Sequence, residues 1–484
     1  MERRFNLINL GWLTLLVLLI LLSRVVPISH EVSSNLEAAH RAAEHDLPAQ
    51  AAQHLGTAAE RQPWRTDLWE LAGHYAIIAN NPVLAIEYLE DGKENTSEGL
   101  SLHGLLDLGD AYYEIEERNA AVNSWERAHQ QYGPSYETVD RLMQIYQEAG
   151  DYHTGISMLE ELVELYPDDA NLHFELALLY ASLGEVKDSQ EALKRAAELD
   201  TNLIDAVESL QDNILLAQRQ SDPAYPPLLI CQGLAEIHKW RLAALACEKS
   251  LQLYPNYAEA WAYLGLAHNQ MSKEEYPITD SDGFPELQKA LELDPNSLAA
   301  NSLLAFYWID KGEYDLALET MQEAIQLAPD RADLRVDLGA LLALSGDLQN
   351  AYQAYQKAVE LSPSRTAYLR HLVNFSLKYD YQVEQVALPS ARKAINIDSE
   401  EPANLDLMAK VMIHLGDLNS AERFAHRALE IDQDYAPAHL RLGFIYLFRG
   451  EELAAYQALT KAAALSPGTP VADQAMRLIS TYFP

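Results

Sequence analysis

The chain has 484 residues, 49% hydrophobic and 22% charged, with 35 basic against 72 acidic side chains and a formal net charge of −37. That length is more than one hydrophobic core supports, so several domains or a repeat array are expected. The acidity repels phosphate backbones, and with no basic cluster denser than Arg3 and Arg4 it excludes nucleic acid as a partner.

In chain order, Phe5 to Ser23 runs without a charge through Leu13, Leu15, Leu16, Val17, Leu18, Leu19, Ile20, Leu21 and Leu22. At a helical rise of 1.5 Å per residue this covers roughly 28 Å, the thickness of a bilayer core. Trp12 and Arg24 near its ends suit the two interfaces. No small-residue cleavage site follows the apolar run directly, so residues 1–29 read as a retained single-pass anchor rather than a cleaved signal. Arg3 and Arg4 place the N-terminus in the cytoplasm and the rest of the chain outside a cell membrane.

Beyond the anchor the chain repeats. The loops at Pro63, Ser97, Gly133, Pro167, Thr201, Pro255, Pro295, Pro329, Pro363, Ser399, Gln433 and Pro467 are spaced by 34, 36, 34, 34, 54, 40, 34, 34, 36, 34 and 34 residues. Each unit carries two helical patterns. Over 296–329, Leu304, Ala305 and Trp308 share one face of a first helix, Gly312 stops it, and Ala317, Met321 and Ala324 mark a second. Pro329 then ends the second helix, because proline has no N–H to donate and disfavours a helical residue before it.

These units resemble tetratricopeptide repeats, whose pattern is W-x2-L-G-x2-Y followed by alanine, an aromatic, alanine and proline. Trp261, Leu264, Gly265 and His268 follow the first half, with histidine for tyrosine. Leu442, Gly443, Tyr446, Gly450, Ala455, Leu459, Ala462 and Pro467 follow nearly all of it, and Leu108, Gly109, Tyr112, Ala121, Trp125 and Ala128 form a third copy. The resemblance implies an all-α superhelical solenoid of about twelve helix-pair repeats behind one transmembrane helix. The 54-residue interval holds a surplus at 202–221, where Leu203, Val207, Leu210 and Ile214 recur at helical spacing. The expected organisation is an anchor at 1–29, five repeats at 30–201, and an extra helix with a proline-rich joint at 202–225. Seven repeats at 226–467 and a capping helix at 468–484 complete it.

Motifs for catalysis and cofactors are absent: the sequence has no P-loop, G-x-G-x-x-G, H-E-x-x-H, G-x-S-x-G or C-x-x-C. The expectation is a non-enzyme with no cofactor and no metal. Asp280, Asp282, Gly283 and Glu286 hold a fragment of a calcium loop without the third acidic ligand, which reads better as a solvated insertion. Cys231 and Cys247 read first as small packing residues, then as a disulfide, and last as metal ligands.

Tetratricopeptide arrays line their concave surface with the first helix of each pair, and there hold a segment of a partner. Carried over by alignment, that surface would present Glu44, Glu70, Asp110, Glu114, Asp140 and Glu148 in the N-terminal half. In the C-terminal half it would present Phe306, Ile309, Val336, Leu344, Ile413, Leu440, Phe444, Leu447 and Phe448. The partner would be a protein or peptide segment that is basic, apolar or both. The solvated-face reading of the carboxylates and the packing reading of the apolar set stand beside this one. The function expected is a membrane-anchored protein–protein interaction scaffold assisting a cell-envelope complex. Its alternative is a structural subunit that self-assembles end to end, which leaves homo-oligomerisation open.

Overall fold

The computed structural model describes residues 30–95, 99–220, 222–273 and 281–483. The described residues form an all-α solenoid of helices joined by short loops, with no strand among them. The chain divides into two compact units, Met1–Leu215 and Leu216–Pro484, and the division falls inside helix Ile204–Gln218. The first unit carries five antiparallel helix pairs, from His30–Glu44 with Pro48–Arg61 to Ala170–Leu183 with Val186–Leu199. The second carries seven, from Tyr225–Glu236 with Trp240–Leu253 to Ala436–Arg449 with Glu452–Leu465, followed by the terminal helix Pro470–Tyr482.

A small residue on the first helix meeting a large one on the second locks many of the pairs. An added Cβ at Gly73 would lie 2.5 Å from Leu89, at Gly443 2.6 Å from Leu459 and at Gly339 2.9 Å from Tyr355, and at Gly109 it would run into the Trp125 indole closest of the four. All four partners stand 16 residues apart in sequence. Cys231 and Cys247, also 16 apart, occupy the same place and are joined as a disulfide of 2.08 Å. The sequence reading had put plain packing first; the structure fills this contact with a covalent bond between two fully buried side chains. In the pair with the longer connection, Gly265 meets Leu287 instead, six residues later than the others, which absorbs the six-residue insertion. The 36-residue interval near Ser399 is absorbed by a π turn at Val383–Ala387, which leaves Ala391 packed in one core cluster with Val373.

A second contact fixes six of the first helices to the loops before them. Trp69 and Trp261 donate their indole N–H to the carbonyls of Pro63 and Pro255, at 3.1 and 2.8 Å. His173, Asn301, Asn404 and His439 donate in the same way to Pro167, Pro295, Asp398 and Gln433. Each donor sits six residues after its acceptor. A loop carbonyl that no helix can satisfy thus gains a partner, which is why different side chains, all bearing an N–H, suit this position.

The described α-helices run 10 to 15 residues, where a bilayer needs about 20 apolar ones. Among the described residues no helix is long and apolar enough to cross a membrane. This corrects the single-pass membrane placement expected from the sequence. The expected anchor, residues 1–29, lies outside the described residues.

Candidate partner-binding surfaces

First helices pack on first helices of the neighbouring pair. In the first unit Thr66–Ile78 lies against Leu102–Glu114. In the second, Ala332–Leu344, Thr366–Lys378, Pro402–His414, Ala436–Arg449 and Pro470–Tyr482 follow one another in the same manner. Each unit therefore presents a face built of first helices, and the aligned positions can be placed on it one by one.

Three of the expected carboxylates of the first unit are held by its own donors. Glu70 is buried and accepts from the backbone N–H and hydroxyl of Ser101, at 2.5 and 2.9 Å. Burial pushes its carboxyl above the ordinary range, against the lowering effect of the Ser101 hydrogen bonds. Gly104 leaves the room for this contact, since a Cβ there would stand 2.7 Å from Glu70 Oε1. Asp110 receives a bidentate pair from Arg141, at 2.6 and 2.7 Å, and the Trp125 indole N–H at 3.2 Å. Glu148 pairs with Arg118 and accepts from Gln144 at 3.2 Å, its side chain 9% exposed. Glu70 is thus corrected from a groove ligand to a structural group, and Asp110 and Glu148 link neighbouring pairs. Glu44, Glu114 and Asp140 are exposed, with Glu44 3.3 Å from His40.

The apolar set of the second unit divides differently. Val336 and Leu440 are buried and are corrected to core residues. Val336 packs among Tyr355, Ala358 and Tyr368, and Leu440 among Leu459, Ala462 and Ala475, the last on the terminal helix. Ile309, Ile413, Phe444 and Leu447 are half-buried. Phe306, Leu344 and Phe448 are 36%, 46% and 67% exposed, and the Phe444 and Phe448 rings lie 5.0 Å apart.

Sequence reasoning missed the ionic groups around this apolar face. Burial would raise the Asp406 carboxyl, but Arg441 and Lys410 more than offset it and hold the group below its usual range. The Arg441 Nε and Lys410 Nζ atoms lie 2.9 and 3.2 Å from its two oxygens. Arg370 donates to Asn404 Oδ1 at 3.2 Å. Asn269 is buried and donates to Asp310 at 2.7 Å. On Ala332–Leu344, burial and the neighbouring Asp333 push the Asp337 carboxyl up to about 6. Lys410 stands at i+4 from Asp406, a spacing legible in the sequence, but no sequence rule says that Arg441, 35 residues on, reaches the same carboxylate. In the calcium-like segment, Asp282 accepts from the Tyr307 hydroxyl at 2.7 Å and lies 3.0 Å from Lys311, while Glu286 holds His268 at 2.9 Å. Asp280 lies outside the described residues.

Antiparallel pairs locked by small-to-large contacts, stacked first helix to first helix, define a helical-repeat protein that presents extended faces. Models of the family described as tetratricopeptide repeat match residues 146–214 and 308–366. Those two stretches are tetratricopeptide repeats, and they lie one in each unit. It is similar to the BBSome complex member BBS4 homolog of Drosophila melanogaster, 22% identical over 315 residues that cover 63% of this chain and 59% of that protein. A segment of 84 residues is 39% identical to the peroxisomal targeting signal receptor of Komagataella phaffii, covering 17% of this chain and 14% of the receptor. The human protein O-mannosyl-transferase TMTC1 is 25% identical over 245 residues, 51% of this chain and 25% of that protein. The chain thus spans only part of the length of the relatives it matches. Among solved structures, yeast Tom70 is similar with a TM-score of 0.43 and 15% identity, covering 78% of this chain and 95% of that one.

Proposed function

We propose that the chain is a non-catalytic scaffold that binds segments of other proteins on its first-helix faces. The observation that carries this reading is the exposed apolar set Phe306, Leu344 and Phe448, with Phe444 beside it, on first helices of the second unit. Aromatic side chains left in water on a repeat face are where a partner gains most from burial. Glu44, Glu114 and Asp140 in the first unit are exposed and would favour a basic segment. The similarity of one segment to a protein named as a receptor for a targeting signal supports a peptide as the bound species. The cell-envelope setting drew on the membrane span and falls with it, so the proposal is confined to protein binding. Crosslinking in native extract followed by purification of the chain tests it. A protein crosslinked through the helix Ala436–Arg449 is the expected result, and crosslinks scattered evenly over both helix sets would contradict it.

A second reading is self-assembly. Met476 and Tyr482 on the terminal helix are 51% and 60% exposed, and a second copy could cover them. Light scattering of the purified chain decides between a monomer, expected of the scaffold, and ladders of higher mass.

A further inference from the structure

The first helices change sign near the end of the second unit. Setting Lys and Arg against Asp and Glu, each of the nine first helices from His30–Glu44 to Ala332–Leu344 is net negative. The next three are Thr366–Lys378, Pro402–His414 and Ala436–Arg449. Together they carry five cations, Arg370, Lys378, Lys410, Arg441 and Arg449, against the single anion Asp406. In a chain of net charge −37 this is a local reversal, and it falls where exposed rings stand. Arg441, Phe444 and Phe448 lie at i, i+3 and i+7 of one helix, which puts them on one side of it.

Part of that charge is neutralised inside the fold. Asp406 takes both Arg441 and Lys410, at 2.9 and 3.2 Å, and Arg449 pairs with Glu422 at 2.9 Å. Two cations on one buried anion leave an excess of one. Arg370 donates to Thr366 and Asn404, at 3.1 and 3.2 Å, and Lys378 lies 5.2 Å from the centre of the Tyr379 ring. Neither has a carboxylate partner among the described residues. The bonds from Arg370 to Asn404 and from Arg441 to Asp406 join the three helices, so the excess forms one patch.

We infer that the face from Thr366–Lys378 to Ala436–Arg449 docks an acidic amphipathic segment of a partner protein. Its carboxylates meet Arg370, Lys378 and the Lys410–Arg441 pair, while its apolar side chains cover Phe444 and Phe448. The inference rests on the first-helix reading above and adds the sign of the partner at this end. That sign is opposite to the basic segment which the carboxylates of the first unit favour. Charge selects the place, because every earlier first helix is net negative and repels such a segment. The rings supply most of the affinity once they leave water. A second copy of this chain is the poorer occupant, since two bodies of net charge −37 repel each other.

The probe is a fluorescein-labelled synthetic peptide with leucine and glutamate at amphipathic spacing, and a counterpart with lysine for glutamate. Anisotropy is measured with the full chain at about 0.15 M salt, where long-range forces are screened. Saturable binding of the glutamate peptide is expected, weakened at least about tenfold by Arg370→Glu with Lys378→Glu. The same double variant should not weaken the lysine peptide. An equal change of charge on a second helix of the first unit, Lys187→Glu with Lys194→Glu, should leave the glutamate peptide unaffected. Lys378 is exposed, so Lys378→Glu alone serves if the double variant folds poorly, with a severalfold loss expected. No saturable binding, equal loss of both peptides, or equal loss in the control would overturn the inference. So would a dimer that Lys378→Glu dissociates, because the occupant would then be a second copy. Loss on Phe448→Ala with none on the charge reversals would sink the acidic segment and leave the first-helix reading standing. Loss on the reversals with none on Phe448→Ala would uphold the acidic segment and strike the aromatic anchor of that reading.

Discussion

The first-helix faces of the two units differ in what they leave to solvent. In the first unit the aligned carboxylates Glu70, Asp110 and Glu148 are taken up by Ser101, Arg141 and Arg118. In the second, Phe306, Leu344 and Phe448 stay exposed although Val336 and Leu440 beside them are core. The contrast follows from reach. A long charged side chain finds an opposite charge on the next pair, about 30 residues on in sequence (Arg141 to Asp110, Glu148 to Arg118), and satisfies itself there. An aromatic ring at the outer edge of a first helix has no such neighbour, so it remains available. Charge on a repeat face is therefore a weaker sign of a binding site than exposed apolar area.

The locks inside the pairs sharpen the comparison, and the largest effects are expected there. Gly109→Ala in the first unit sets a methyl into the Trp125 indole, closer than at Gly73, Gly339 or Gly443, and should cost about 3 kcal/mol by the usual scale of overpacking. Gly339→Ala in the second, with 2.9 Å to the Tyr355 ring, should cost nearer 1 kcal/mol. Urea unfolding of both variants measures this, and equal losses would show that the two contacts relax alike. The disulfide between Cys231 and Cys247 closes a loop of about this length for roughly 3 kcal/mol. Thiol reductant should lower the unfolding midpoint of the second unit and leave the first unchanged. A shift in both, followed by hydrogen exchange, would refute the separation.

A pH effect comes next in size. Asp337 has its carboxyl raised to about 6, above the value near 3.9 of an unfolded aspartate. A raised carboxylate favours the folded state while protonated, so that contribution is full below about pH 4 and is lost as pH rises through 6. Asp337→Asn should therefore stabilise the chain at pH 7.5, by up to about 3 kcal/mol, and the gain should vanish near pH 4. Thermal melts across that range check it; a gain independent of pH would assign the effect to something other than titration.

Much of the fold was legible because its signals are local. The 34-residue period, the 16-residue spacing of Gly109 to Trp125 and Gly443 to Leu459, and the closing prolines all appear in one dimension. What the sequence hid were contacts between neighbouring pairs. Alignment put Glu70 on a face but could not say that Ser101 would bury it, nor that Asp406 would sit between Arg441 and Lys410. The N–H donor six residues past six of the loops could have been found, but Trp, His and Asn do not look alike until the shared carbonyl is seen. The membrane placement failed for another reason: it drew on residues 1–29 alone, and the helices described carry no such span.

On the faces themselves the expected changes are smaller in stability and larger in binding. Phe448→Ala should change folding by less than about 1 kcal/mol, its ring being mostly in water. The most direct test of the account compares retention of the crosslinked partner by the wild type, Phe448→Ala and Glu114→Lys at low and high salt. Exposed aromatics as the anchor predict that Phe448→Ala loses at least about tenfold in retention at both salts. Glu114→Lys should then lose only severalfold, and only at low salt. Retention unaffected by Phe448→Ala but abolished by salt or by Glu114→Lys would contradict the account.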